Sequence, residues 1–276
     1  MQKIQIKDFN LQHTLESAQL FRILKKNDGY YITARDKLFF VQQQEDQLLY
    51  DGVDEQFMID YFALDEDHAQ LVLAISVDEK IKTAIKQYYG MRILRQDPWE
   101  TTVNFICSAA ANVPKITMNV NLLAERFGKK ITLHDVTSYT FPEPGTMQDL
   151  AIIKDCKTGF RAEYLFAANT MLTDQKLAHL RNLCYSDAKR ELIKNAGIGS
   201  KVADCILLFG YGFKEAFPVD TWIAKVMKEL YFTKKRKVNN QQILAFGQKY
   251  FKAHPGYTQM YLFHWIRMRD KNNGKN

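Results

Sequence analysis

KRELIKNAGIGSKVADCILLFGYGF, Lys189 to Phe213, decides how the rest of the chain is read. One helix runs out near Asn195, Gly197 and Gly199 make a tight turn, and Ser200 is placed to cap a second helix. That second helix can bury a face made of Val202, Ala203, Ile206 and Phe209. Glycine supplies positive φ and lets another backbone come close, so the pair of helices reads as a hairpin. N–H groups exposed at the start of the second helix suit a DNA phosphate. Ordinary connections between helices use glycines too, and the turn alone leaves both readings open.

Lys201 opens the second helix, where the helix dipole disfavours a cation by about 0.3 to 1 kcal/mol. Lys201 and Cys205 are four residues apart and share one face, separate from the apolar one. At the positive end of a helix the ammonium form is disfavoured, and a neutral amine is a nucleophile. A lysine that merely neutralises phosphate is the alternative. Further on, AFPVDTWIAKVM sets Asp220 behind Pro218 and ahead of an amphipathic helix. Its carboxylate reads as an N-cap that helix N–H groups keep ionised, able also to stabilise positive charge developing nearby.

The chain of 276 residues is 46% hydrophobic and 25% charged, which is ordinary globular composition with enough length for a core without disulfides. Cys107, Cys156, Cys184 and Cys205 form no C-x-x-C pair, which argues against zinc and iron–sulfur sites. No apolar run approaches the roughly 18 residues of a membrane helix, and MQKIQIKDFNLQ has no signal-like apolar region. An intracellular protein, cytoplasmic or nucleoid-associated in a bacterium, is expected. Charge is uneven along the chain. Residues 1–90 carry 10 Lys and Arg against 15 Asp and Glu, whereas residues 186–276 carry 17 against 7. A basic C-terminal third points to a polyanionic partner.

The aromatic and β-branched runs GYYITA, KLFFVQQ and QLLYDG predict an antiparallel meander in the first fifty residues. From Asp54 the apolar spacing changes to three and four, which predicts helices. A break is expected at Pro114, a helix end at Gly128, a loop at YTFPEPG, a Thr-capped helix start in TMQDLAII and a frayed tail, KNNGKN. The fold class is therefore α+β: a small antiparallel sheet domain with flanking helices over 1–95, then a helical hairpin-bearing domain over 96–276.

GIGSKVADC followed by PVD resembles the helix-hairpin-helix and Gly/Pro…Asp signature of the DNA glycosylase superfamily, and a lysine directly after GIGS is similar to its bifunctional members. GMRILRQDPWETTVNFICS, YFALDEDHA, TGFRAEYL and GYTQMYLF narrow the resemblance to the 8-oxoguanine DNA glycosylase family, from about Phe21 to Phe263. The resemblance implies a monomer that needs no cofactor or metal, acts on double-stranded DNA containing 8-oxoguanine and meets no membrane. It implies that Lys201 attacks the sugar C1′, forms a Schiff base and leads to β-elimination, with Asp220 stabilising the developing charge. Cys205 and Phe263 would sandwich the flipped base and Gln259 would read its Watson–Crick edge. Phe160 would wedge into the gap with Arg161 facing the estranged cytosine, while Asn112, Lys115, Trp222, Gly197 and Gly199 would contact the DNA. Flat apolar walls and one polar reader are what a base taken out of the stack requires. Gln259 and Phe263, four apart, can face it together.

Two departures from the family stand out. Ala18, in ESAQLFRI, replaces a glycine whose carbonyl accepts the N7–H that distinguishes 8-oxoguanine from guanine, so a methyl now crowds that carbonyl. After FICS, Ala109, Ala110 and Ala111 precede Asn112 where the family carries consecutive asparagines, and Lys115 offers a point charge in place of an arginine fork. A weaker preference for cytosine opposite the lesion is expected. Two other readings remain at this level: a glycosylase for other oxidised or alkylated purines, and a catalytically silent DNA-binding module.

Overall fold

The computed structural model describes residues 1–233 and 237–274. Strands β1 (Gln2–Gln5), β2 (Ile23–Lys26), β3 (Gly29–Ala34), β4 (Lys37–Gln44) and β5 (Gln47–Asp51) form one antiparallel sheet in the order β1-β5-β4-β3-β2. The three aromatic runs pair as their composition predicts, with Tyr30 and Tyr50 on either side of Val41. Every residue of β3 is buried. The edge strands β1 and β2 escaped the sequence reading because QKIQ and ILKK mix polar with apolar residues.

Helices α1 (Leu11–Leu15) and α2 (Glu55–Tyr61) close one sheet face. Their core is aromatic: the Phe39 ring meets Phe57 and Tyr61 edge-on at 5.3 and 5.5 Å. A further hairpin, β6 (Lys130–Leu133) and β7 (Val136–Tyr139), packs Val136 against Tyr31 and Leu38. It too was missed, since its exposed side carries Lys130, Thr132 and Thr137 and its inner side mixes Ser138 with Ile131, Leu133 and Val136.

The other helices are α3 (His68–Ile75), α4 (Glu79–Gln87), α5 (Pro98–Cys107), α6 (Val113–Phe127), α7 (Leu150–Ile153), α8 (Arg161–Met171), α9 (Asp174–Leu180), α10 (Tyr185–Ile193), α11 (Ser200–Tyr211), α12 (Thr221–Leu230), α13 (Asn240–Tyr250) and α14 (Pro255–Asn272). They share a second core that runs from Leu71 to Ile266 and takes in Phe21, with α11 buried at its centre. Helix α11 lies close against α5 because Gly210 faces it: a Cβ there would stand 3.1 Å from the Pro98 Cα. Between sheet and helices, Arg22 pairs with Glu100 of α5 at 3.3 Å, both nearly solvent-free. The second Glu100 oxygen accepts the Arg35 N–H at 3.2 Å. Burial pushes the Glu100 carboxyl up to about 7, with Arg22 pulling the other way.

Local punctuation differs from expectation in three places. Pro114 does not break a helix but sits in the first turn of α6, where its missing N–H costs nothing, and Asn112 caps that helix. Asp149, not Thr146, caps α7. Of the tail KNNGKN, Lys271 and Asn272 still belong to α14, and residues 275 and 276 lie outside the described residues.

Candidate active site

The turn between α10 and α11 depends on Gly197, at φ 83°, where a Cβ would fall 2.4 Å from the Tyr164 ring. Gly199 is extended, at φ −84°, and has open space around it, so it meets no steric demand for glycine. It is Gly199 rather than Ser200 that occupies the N-cap of α11, and Ser200 is the first helical residue. With no side chain capping it, α11 keeps its first N–H groups free for an external acceptor.

A cavity of about 930 Å³ opens between α5, α11, the start of α12, α14 and the Ser17–Ala18 loop. It gathers the expected residues Ala18, Asn112, Lys201, Cys205, Asp220, Trp222, Gln259 and Phe263. Lys115, Phe160, Arg161, Gly197 and Gly199 do not line it.

Lys201 reaches across from α11 to α5, donating to Ser108 Oγ at 2.9 Å with its Nζ 5.4 Å from the Phe105 ring. Ser108 is the C-cap of α5, so the amine lies between the positive start of one helix and the negative end of another. The repulsion expected from α11 alone is thereby offset. One turn along, burial pushes the Cys205 thiol up to about 12 despite the neighbouring Lys201, which keeps that wall of the cavity neutral. Asp220 caps α12 by accepting the Ile223 N–H at 2.8 Å. Burial raises its carboxyl above the usual carboxylate range, opposed by the cap N–H groups and by Lys201.

Helix α14 supplies the opposite wall through Gln259, Phe263 and Arg267, each four residues apart. Gln259 Nε2 donates to the Pro218 carbonyl at 3.1 Å, which fixes the amide, and its Oε1 accepts no hydrogen bond among the described residues. The Arg267 guanidinium lies 5.3 Å over the Phe263 ring and donates to the Glu16 carbonyl at 3.4 Å, tying the ring to the loop that carries Ala18. Arg267 was not anticipated, although its spacing from Gln259 and Phe263 was visible. Ser108 and the Phe105–Phe209 stack, with centroids at 5.4 Å, were missed as well, because only folding brings α5 to α11.

Ala18 stands at φ 60°, a conformation that favours glycine. Gln19 holds the loop there. Its amide donates to Thr14 and Arg92 carbonyls at 3.1 and 2.8 Å and accepts the Leu94 N–H at 2.8 Å. In the alanine run Ala110 is also left-handed, at φ 48°. Arg161 is 5% exposed and donates to the carbonyls of Ala109, Ala110 and Thr158 at 2.7, 3.0 and 3.1 Å, bracing the alanine turn. Phe160, by contrast, is 55% exposed just after a kinked segment, Lys154–Thr158, in which Lys157 is left-handed at φ 62°, and Arg161 lies 4.5 Å over its ring. Among the described residues no group of three or more His, Cys, Asp or Glu side chains is arranged to hold a metal, and no helix is long and apolar enough to cross a membrane.

Comparison with known proteins places this geometry in a family. Residues 2–102 match the model of the 8-oxoguanine DNA glycosylase N-terminal domain. A probable N-glycosylase/DNA lyase from Methanothermobacter thermautotrophicus is 29% identical over 213 residues, 69% of this chain and 68% of that protein. The structure of MBOgg1 with a low-affinity DNA ligand superposes with a TM-score of 0.92 at 35% identity, covering 97% of this chain and 95% of that one. An 8-oxoguanine glycosylase/lyase from Clostridium acetobutylicum, bound to double-stranded DNA with cytosine opposite 8-oxoguanine, gives 0.91 and 30%, covering 98% and 99%. Identity at that level over nearly the whole of both chains leaves no room for a partial match, and the protein belongs to the 8-oxoguanine DNA glycosylase family.

Proposed function

We propose that the chain, working as a monomer inside the cell, takes 8-oxoguanine out of duplex DNA, excises it and nicks the strand. The observation that carries this reading is the meeting of Lys201 with Asp220 in one cavity between the Cys205 and Phe263 walls, with room for a base. Lys201 Nζ bonds to C1′ as the C1′–N9 bond breaks, and the electron pair leaves with the base, which takes up a proton. Opening of the sugar ring gives the iminium, and loss of a C2′ proton then expels the 3′ phosphate by β-elimination. Asp220 supplies negative charge beside the positive charge that develops on sugar and nitrogen. The thiol of Cys205 and the Phe263 ring hold the flat base, and the free Gln259 Oε1 accepts from its N–H edge.

Incubation with an 8-oxoguanine:cytosine duplex and borohydride is expected to trap a covalent complex that vanishes in Lys201→Gln. Trapping only on another oxidised or alkylated purine would replace the substrate. Binding with no trapping on any purine would favour a silent DNA-binding module.

A further inference from the structure

We propose that Ser108 is a positioning residue for Lys201, a hydrogen-bond acceptor that fixes the direction in which the amine attacks. The inference rests on the Schiff-base reading above and goes beyond it by naming what holds the nucleophile. Ser108 Oγ has one proton, which it gives to the Phe105 carbonyl at 2.7 Å. Towards Lys201 it therefore acts only as an acceptor, at 2.9 Å. Phe105 adds its ring on another side of the amine, at 5.4 Å, and Phe209 stacks behind that ring.

A neutral lysine amine has two N–H groups and one lone pair. With one N–H given to Ser108, the Phe105 ring beside it and the Cys205 thiol one turn along also within hydrogen-bonding reach, the amine is held against the cavity wall and rotation about its Cε–Nζ bond is restricted. The charged and titratable groups around Lys201 are Asp220 at the start of α12, Cys205 on α11 itself, and Arg267 on α14, which acts on Asp220. From α5 only the neutral Ser108 and Phe105 approach. Ser108 is thus the α5 group whose removal alters Lys201 without removing a charge.

Single-turnover trapping with the 8-oxoguanine:cytosine duplex, alongside duplex binding, tests the role in Ser108→Ala, Ser108→Cys and Ser108→Thr. In the Ala and Cys variants the trapping rate is expected to fall about tenfold, the loss of one ordinary hydrogen bond, while duplex binding is unchanged. Thr, which keeps the hydroxyl, should restore the rate. Cys is close to Ser in volume and decides the matter if Ala fails to fold. An unchanged rate would overturn the proposal, as would a slower rate that Thr does not restore or one matched by equally weakened duplex binding. Failure of the unaltered protein to trap would instead overturn the glycosylase/lyase reading, and the role of Ser108 with it.

Discussion

Lys201 is a cation at a helix start, and the fold answers for it with a second helix end. Its amine meets the C-cap of α5 at Ser108, so the half charges of the two helix termini act on it with opposite signs. The same dependence on folded neighbours governs the departures around the pocket. Ala18 keeps a left-handed backbone because Gln19 clamps the loop on three sides. The alanine turn is held by Arg161, whose guanidinium donates to three backbone carbonyls. A side chain making a good bidentate contact discriminates between bases by about 1 to 3 kcal/mol, and Ala109 to Ala111 carry no polar side-chain group that could make one. Single-turnover excision with each of the four bases opposite 8-oxoguanine is accordingly expected to give rates within about tenfold of one another. A cytosine preference of a hundredfold would refute it. Lys201, Cys205, Asp220, Gln259 and Phe263 were legible because helical spacing and the family signature both mark them. Ser108 was not, because its partner is 93 residues away in the chain.

At the scale of elements, the hairpin that presents Lys201 is anchored from its buried side. Asp204, on α11 and 1% exposed, accepts from Tyr185 Oη at 2.5 Å and from Lys189 Nζ at 2.8 Å, both on α10. Gln248 of α13 donates to the same Tyr185 hydroxyl at 3.0 Å. Burial raises the Asp204 carboxyl, and Lys189 opposes that rise. Removing the carboxylate strands a lysine whose side chain is only 14% exposed. Asp204→Ala is expected to lose about 3 to 5 kcal/mol in denaturant unfolding; a loss below 1 kcal/mol would show that the network does not hold α10 to α11. The hairpin and the three central strands were readable because their apolar periods are strong and their turns carry glycine or charge. The strands β1, β2, β6 and β7 were not: each is four residues long, and Val136 is the one buried residue among them, so the alternation that marks a half-buried strand does not develop. The cap of α11 was misassigned for a related reason: Ser200 is the better capping residue by chemistry, but Gly199 takes the position by geometry.

Across the whole molecule, acidic and basic surfaces are separated along the chain, and this bears on how DNA is held before any base is read. In the N-terminal third Lys25 and Lys82 pair with Glu16 and Glu79, and Lys26 pairs with Asp135. Lys115, Lys157, Lys228 and Lys237 pair with no carboxylate among the described residues. Lys115 follows the cavity-lining Asn112 to Pro114, Lys157 precedes the exposed Phe160, and Lys228 and Lys237 border a shallow depression with Asn239 beside cavity-lining Asn240. Unpaired cations flanking the site offer counterion release to a phosphate backbone without a carboxylate to displace first. Duplex affinity should therefore fall steeply with salt, and Lys115→Ala and Lys237→Ala should each weaken binding to undamaged and 8-oxoguanine duplexes by the same factor. Each should also lower the slope of log K against log salt by about 0.9, the signature of one lost phosphate contact. A variant that loses affinity only for the lesion duplex, with the slope intact, would mean that its lysine reads the damaged site and not the backbone.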